Sequence, residues 1–356
     1  LTEFASGDTG FTVPSGVKHD LKPGYTCYNW YSSADLSGEI ISQISDCSKN
    51  YVVYPKWKLD AASVKFDNFS TVYDGSFSTI RPIVSHEAAD VVLEYTWKKD
   101  STLLIKNRTN EIKVKNVSDS ALYAFTVTAR DSEGQSASFT EYANIKISPA
   151  KLSIKADAKT ITYGEENVPL TYKVSGLISP DVISGAISRE SGNNAGSYSI
   201  TLGDLSAGEN YSIDFTSAQY VINKADYDMS GITFEDESAV YDRQNHSIEI
   251  NGTLPVGLDG IRVTVSYSGT AINAGENELT ANFATTSANY NVPESMKAIF
   301  TIEKKPLLIS AYGLEATYGS NLAFSYMEEG LIDGDTISGS LAKTGTDDVG
   351  EYDIIL

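Results

Sequence analysis

Apolar and polar residues alternate along most of this chain with a period near two, the repeat of a half-buried strand rather than of a helix. Leu152-Ser153-Ile154-Lys155-Ala156 and Leu170-Thr171-Tyr172-Lys173-Val174 show it, as do Tyr211–Phe215, Tyr220–Ile222 and Ala143–Ile147. In an extended chain successive side chains point to opposite faces, so each run gathers its large residues on one side. Turn signals such as Tyr163-Gly164, Ser175-Gly176, Ser184-Gly185 and Ala195-Gly196 bound the runs. The pattern predicts short strands joined by turns throughout.

The order of these signals recurs. Gly176, Asp181, Gly185, Gly196 and Tyr198 have counterparts in Gly330, Asp335, Gly339, Gly350 and Tyr352 at one constant offset, and Tyr163 maps to Tyr318 one residue further on. A register shared over so many positions is an internal repeat, and repeats decide architecture before any site is considered. The chain is therefore expected to be all-β: an elongated tandem array of small β-sandwich or Ig-like and β-grasp-like modules.

Composition narrows the function more than the fold. The 356 residues exceed one small core, and 41% hydrophobic with 21% charged content is ordinary for globular domains. A net charge of −20 disfavours nucleic acid and anionic lipid, which need clustered Lys and Arg. No run approaches the roughly 20 apolar residues of a membrane helix. Leu1 is not an initiator and no secretory signal opens the sequence, so the chain is expected to be a piece of a longer one.

Five segments follow in order. Residues 1–58 carry Gly24-Tyr25, Trp30-Tyr31 and Trp57, and at these residues the segment resembles the internalin-type B repeat, which implies a small β-grasp fold. Cys27, Asn29 and Pro55 depart from that family's usual residues. Residues 59–150 place Trp97 on a central strand and give Asp119–Phe125 the spacing of a tyrosine corner around Tyr123. With Phe125 where an antibody domain has its second Cys, the segment resembles the Ig-like domains of bacterial surface proteins. Its opening, Phe66 to Asp74, parallels Phe234 to Asp242 in the pattern F-x-x-x-S-x-V-Y-D.

Residues 151–224 resemble the MBG repeat (YGX type) of bacterial adhesins over the whole module. Residues 225–304 resemble a related MBG repeat, with Arg243 where the family has Gly after Tyr-Asp. Residues 305–356 repeat the first MBG module without the counterpart of Leu202 to Lys224, so that module is expected to lack its closing strands. The joints Ser148-Pro149-Ala150, Lys224-Ala225-Asp226 and Lys304-Lys305-Pro306 hold no Gly/Ser-rich spacer. Joints this short predict modules standing end to end.

Chemistry is sparse. His19, His86 and His246 fall in three different modules, and no HExxH, GxSxG, P-loop or CxxC appears. These histidines are expected to be solvated or locally hydrogen-bonded. Asp333-Gly334-Asp335 and Asp347-Asp348 offer hard oxygen donors that suit Ca²⁺. The matching turn of the first repeat, Ser179-Pro180-Asp181, has one acid, so ordinary Asp/Gly turns are favoured and Asp181 and Asp335 are read as turn caps. No cofactor is expected otherwise.

Tyr25, Tyr28, Trp30 and Tyr31 read as core, with Trp30 facing Trp57, in preference to a sugar-stacking platform. The repeat tyrosines Tyr163, Tyr198, Tyr318 and Tyr352 are expected to be packed. Cys27 and Cys47 share the first module. The export implied by the resemblance makes a bridge the expectation, worth roughly 3 kcal/mol for a loop of about 20 residues. Two buried thiols are the alternative.

These readings converge on a non-catalytic, extracellular, cell-surface-attached or secreted stalk segment of a bacterial surface adhesin, monomeric, spacing a binding tip from the envelope. Partners such as a host glycan or surface protein are then expected to engage other parts of the parent chain. The rival readings are direct binding of a host glycan or protein by one of these modules, and an accessory region of a secreted hydrolase.

Overall fold

The structure, a computed structural model, describes residues 10–18, 22–46, 49–107 and 109–356. His19 and Cys47 lie outside the described residues, so the expected Cys27–Cys47 bridge falls outside them too. The fold is all-β: apart from one 3₁₀ turn at Val117–Asp119, every regular element among the described residues is a strand. The chain divides into two compact units. The first takes residues 1–157, 170–188 and 200–218, and the second takes 158–169, 189–199 and 219–356.

In the first unit, strands Val17–Lys18, Tyr25–Tyr31 and Tyr54–Leu59 form a small antiparallel sheet. Its aromatic residues are divided by their positions on the pleat. Tyr25 and Leu59 are buried and packed with Trp57 against Ala88 and Ala129 of the following module. Trp30 pairs across the sheet with Pro55 instead and donates its ring N–H to the Pro14 carbonyl at 2.7 Å, so Trp57 and not Trp30 joins this cluster. Tyr28 lies at the surface, with the Lys56 ammonium 5.9 Å from its ring centre.

The Ig-like segment builds a five-stranded sheet in which Ala121–Arg130 is central. Tyr123, Phe125, Val127 and Ala129 alternate inward along that strand and are buried. Trp97 lies opposite Phe125 across the ladder with ring centres 4.6 Å apart, and both are fully buried. Tyr123 closes its corner by donating to the Asp119 carbonyl at 2.9 Å. Burial pushes its phenol up to about 12.

The segment beginning at residue 151 contributes one sheet to each unit. The first unit holds Tyr172–Ser175, Ala150–Ala156 and Tyr211–Thr216, with Ala150–Ala156 between an antiparallel and a parallel neighbour. A four-stranded sheet in the order Lys159–Thr162, Ala218–Asn223, Gly196–Thr201, Ser188–Arg189 belongs mainly to the second unit. There follows a further sheet, Glu237–Val240, Met296–Glu303, Gly275–Ala284, Thr264–Ser268, with buried clusters around Val263 and Ala281 and around Ile248 and Phe300. Residues 305–356 form two pairs, Leu308–Ala311 with Tyr326–Glu329 and Ala342–Lys343 with Ile354–Ile355.

The sequence repeat is a structural repeat in detail. Ala150–Ala156 meets Tyr172–Ser175 in the register Ile154↔Val174, and Leu308–Ala311 meets Tyr326–Glu329 in the matching register Ile309↔Glu328. Tyr198 donates to the Asn194 carbonyl at 2.8 Å and Tyr352 to the Asp348 carbonyl at 2.9 Å. A cation stands over each ring: Arg189 over Tyr198 at 5.2 Å and Lys343 over Tyr352 at 4.4 Å. In the intervening module Asn277 takes the tyrosine's place, donating to the Asn273 carbonyl at 3.1 Å.

Candidate functional site

Among the described residues, recurring polar constellations lie where one module hands over to the next. Each begins with a strand that runs parallel to its module's last strand and ends in a tyrosine. Tyr73 follows Phe69–Val72, Tyr163 follows Lys159–Thr162 and Tyr241 follows Glu237–Val240. Their backbone N–H groups donate to the last carbonyls of the module, Ser148, Asn223 and Glu303, each at 2.9 Å. Those bonds fix where the tyrosine side chain leaves the sheet.

At the first joint, within the first unit, Tyr73 stands edge-on to Tyr211 of the next module, ring centres 5.6 Å apart and planes at 76°. Both hydroxyls donate to one oxygen of Asp181, at 2.8 Å from Tyr73 and 2.6 Å from Tyr211. Hydrogen bonds from Tyr211 and then Tyr73 hold the Asp181 carboxyl below the usual range. The same bond to Asp181, with burial added, pushes the Tyr73 phenol up to about 12. Burial first, and then Asp181, raises Tyr211. A carboxylate that accepts two phenol donors is a charge-assisted pair, among the stronger hydrogen bonds a protein makes.

Beside it Asn210 grips the preceding module. Its side-chain oxygen accepts from the Val117 N–H at 2.9 Å, its amide nitrogen donates to the Asn116 side chain at 3.2 Å, and its own carbonyl accepts from Ala150 N–H at 2.9 Å.

The second joint, within the second unit, repeats this geometry with different residues. Tyr163 stands edge-on to Tyr290 at 5.7 Å and 76°. Asn289 accepts from Ala195 N–H at 2.8 Å, donates to the Asn194 side chain at 3.3 Å, and its carbonyl takes Ala225 N–H at 2.9 Å. The acid here, Asp259, accepts from Ser287 at 2.5 Å and from Asn289 at 3.5 Å instead of from a tyrosine.

The residue two after the leading tyrosine in the first joint is Gly75, and the one directly after it in the second is Gly164. They have φ of 78° and 94°, and a Cβ there would meet a side-chain methyl of Ile178 at 2.9 Å and of Leu258 at 2.6 Å, which would have to shift. A left-handed backbone pressed against a neighbour is where glycine is required.

The third joint has Tyr241 donating to Asp335 at 3.2 Å. Arg243, the departure from glycine, adopts φ 66°, a conformation that costs a non-glycine residue about 1–2 kcal/mol. Its guanidinium donates to the Asp333 carbonyl at 2.7 Å and its Nε lies 3.8 Å from the Asp335 carboxylate.

The remaining expectations sort around these joints. Asp181 and Asp335 close their turns through backbone N–H bonds to the Ile178 and Ile332 carbonyls, but their side chains do not cap those turns; they reach tyrosines of the preceding module. The two acidic pairs have separate partners. Asp335 faces Tyr241 and Arg243, Asp347 pairs with Lys343 at 3.0 Å, and Asp348 accepts from Thr346 at 2.9 Å. No group of three or more His, Cys, Asp or Glu arranged to hold a metal occurs among the described residues.

His86 bonds to the Asp60 carbonyl at 2.9 Å, and His246 bonds to Asp242 at 2.9 Å while stacked on Phe300. Tyr198 and Tyr352 are half-buried, and Tyr163 owes its cover to Tyr290. Tyr318 departs from the expectation of packing: it is 73% exposed, because no described residue stands to it as Tyr290 stands to Tyr163.

Comparison with known proteins locates part of this. Residues 152–221 match the MBG domain (YGX type). No curated protein matches. Among solved structures, one described as "Structural insight into host cell surface retention of a 1.5-MDa bacterial ice-binding adhesin" is 13% identical, with a TM-score of 0.26, over 68% of this chain and 97% of that one. The fibronectin(III)-like modules of CbhA from Clostridium thermocellum are 11% identical, with a TM-score of 0.19, over 68% and 94%. The Sidekick-1 immunoglobulin domains 1–5 are 10% identical, with a TM-score of 0.21, over 70% and 60%.

Proposed function

We propose that this chain is a non-catalytic repeat segment of an exported bacterial surface protein, and that it serves as a stalk holding a binding region away from the cell envelope. The observation that carries the reading is the joint. The same edge-on tyrosine pair and the same asparagine grip occur between an Ig-like module and an MBG repeat and again between two MBG modules. A device that fixes one module to the next has reason to recur at successive joints.

A spacer needs joints that resist swinging, and side-chain bonds across each joint supply that resistance where the linker alone is two or three residues. Small-angle scattering of the 356-residue chain tests it. A compact globule of this length has a radius of gyration of about 20 Å. The stalk reading expects a value well above that, and a value at the globular figure overturns it.

A further inference from the structure

We propose that the cleft lined by Glu165, Asn167, Asn193 and Leu258 binds one neutral pyranose ring of a carbohydrate. The cleft has a volume of about 190 Å³, and Ile161 and Ile222 complete its apolar side. All six of these residues belong to the second unit.

Its polar groups are oriented before any ligand arrives. A guanidinium carries donors only. Nη2 of Arg189 donates to the Asn167 Oδ1 at 3.3 Å and to the Asn193 Oδ1 at 3.4 Å, so both amides turn their oxygens toward it and their NH₂ groups away. Arg189 is itself held in place. Its Nη1 donates to the Glu190 and Gly192 carbonyls at 3.0 and 2.8 Å, and its guanidinium lies 5.2 Å from the Tyr198 ring centre and 4.6 Å from that of Tyr220. The fully buried Tyr220 donates its hydroxyl to the same Asn167 oxygen at 3.2 Å.

That leaves bonding capacity facing solvent. Among the described residues, neither the Asn167 nor the Asn193 amide nitrogen has a protein partner. The Glu165 carboxylate takes the Thr162 N–H on Oε2 at 2.6 Å, and its Oε1 has no protein partner among the described residues.

The combination selects the ligand. Two NH₂ donors disfavour a cation, and the carboxylate disfavours an anion. A hydroxyl suits both, because it accepts from an amide and donates to a carboxylate. Neighbouring hydroxyls on a sugar ring present both roles side by side. The C–H face of such a ring needs an apolar surface, and Leu258 supplies one: it is 74% exposed, and its backbone is anchored by the Tyr290 hydroxyl, which takes the Leu258 N–H at 3.0 Å. The volume lies below that of pockets for drug-sized ligands, so one ring enters and not a chain. A ligand of about a dozen heavy atoms binds at ordinary efficiency with a dissociation constant in the millimolar range.

The test titrates the whole chain with the methyl glycosides of glucose, mannose and galactose, followed by NMR of the side-chain amides. Expected is saturable millimolar binding of at least one, with the Asn167 and Asn193 NH₂ signals shifting. Glu165→Gln keeps the acceptor for Thr162 and removes the charge, and it should weaken binding roughly fivefold or more, as should Asn193→Ala. Leu258→Ala should weaken it too, and the exposure of that side chain guards against misfolding as the cause. The proposal is overturned if none of the three sugars binds at about 100 mM, if Glu165→Gln and Leu258→Ala leave binding unchanged, or if the shifts fall elsewhere. Equal binding of methyl glucuronide, an anion, overturns it as well. None of these outcomes depends on whether the chain is a stalk.

Discussion

The Tyr73 hydroxyl and the Asp181 carboxylate, 108 positions apart in sequence and in different modules, meet at 2.8 Å. Tyr211 reaches the same oxygen from the other side at 2.6 Å, so one acid locks two tyrosines together. Removing that hydroxyl alone, by Tyr73→Phe, keeps the ring contact with Tyr211 and deletes the bond. The first unit is expected to melt a few degrees lower, and Asp181→Ala to remove most of the effect of a subsequent Tyr73→Phe. Differential scanning calorimetry of the four proteins of this cycle measures the coupling, and strict additivity contradicts the shared lock.

The lock is confined to a window of pH. Hydrogen bonds hold the Asp181 carboxyl below its ordinary range. A depressed carboxyl stabilises the folded state above the unfolded-state value, near 4, and that contribution is lost as pH falls through the folded one. Tyr73, pushed up to about 12, behaves in the opposite sense: its contribution is complete below the unfolded-state value near 10 and is lost as pH rises through about 12. The first unit should hold a plateau of stability between those limits, and Asp181→Asn should flatten its acid side. Urea midpoints measured across pH check both.

Asn210 makes two side-chain bonds to the Asn116-Val117 turn. Asn210→Ala leaves the Val117 N–H without its partner and is expected to cost about 1–3 kcal/mol, the usual penalty for a stranded donor. Asn289→Ala should cost a similar amount in the second unit, since it grips Asn194-Ala195 in the same way. Equilibrium denaturation decides; loss at one site without the other would break the equivalence of the joints.

Arg243 tolerates a left-handed backbone while its side chain reaches Asp333 and Asp335. Alanine there keeps the backbone cost and loses the reach; glycine loses both. Arg243→Gly is therefore expected to be more stable than Arg243→Ala by about 1 kcal/mol. Chemical denaturation of the two variants checks the order, and the reverse order would show that the φ of 66° carries no strain.

A contrast between two aromatics separates core from corner. Phe125 is fully buried against Trp97, and Phe125→Ala should cost about 3–5 kcal/mol. Tyr198 is a half-buried corner whose hydroxyl serves the Asn194 carbonyl, so Tyr198→Phe should cost about 1 kcal/mol. Thermal melts of the two variants test this ranking.

The all-β class and the internal repeat were legible in the sequence because strand alternation and turn glycines act locally. Tyr123, Phe125 and Trp97 announced their places by spacing alone. The joints were not legible in the same way. The shared motif ending at Tyr73 and Tyr241 is visible as text, yet what each tyrosine touches lies roughly a hundred residues on. Asp181 and Asp335 look like turn caps because Asp in a turn usually serves its own backbone, and nothing local says that the carboxylate faces outward.

Tyr318 was expected to pack because its counterpart Tyr163 marks the module, but that tyrosine is covered by the neighbouring module and not by its own core. The signal that was available is the recurrence of Asn-Tyr at Asn210-Tyr211 and Asn289-Tyr290, opposite Asn116-Val117 and Asn194-Ala195. It becomes meaningful once the two dipeptides are read as halves of one contact.

The asparagine grip has a consequence for how such chains are assembled over generations. Asn210 and Asn289 make the same bonds to the turn of an Ig-like module and to that of an MBG module. The receiving half therefore does not record which kind of module precedes it. Recombination that exchanges whole modules at these two boundaries would therefore keep the asparagine grip, while the acid and its partners, which differ between the joints, would change with the modules exchanged.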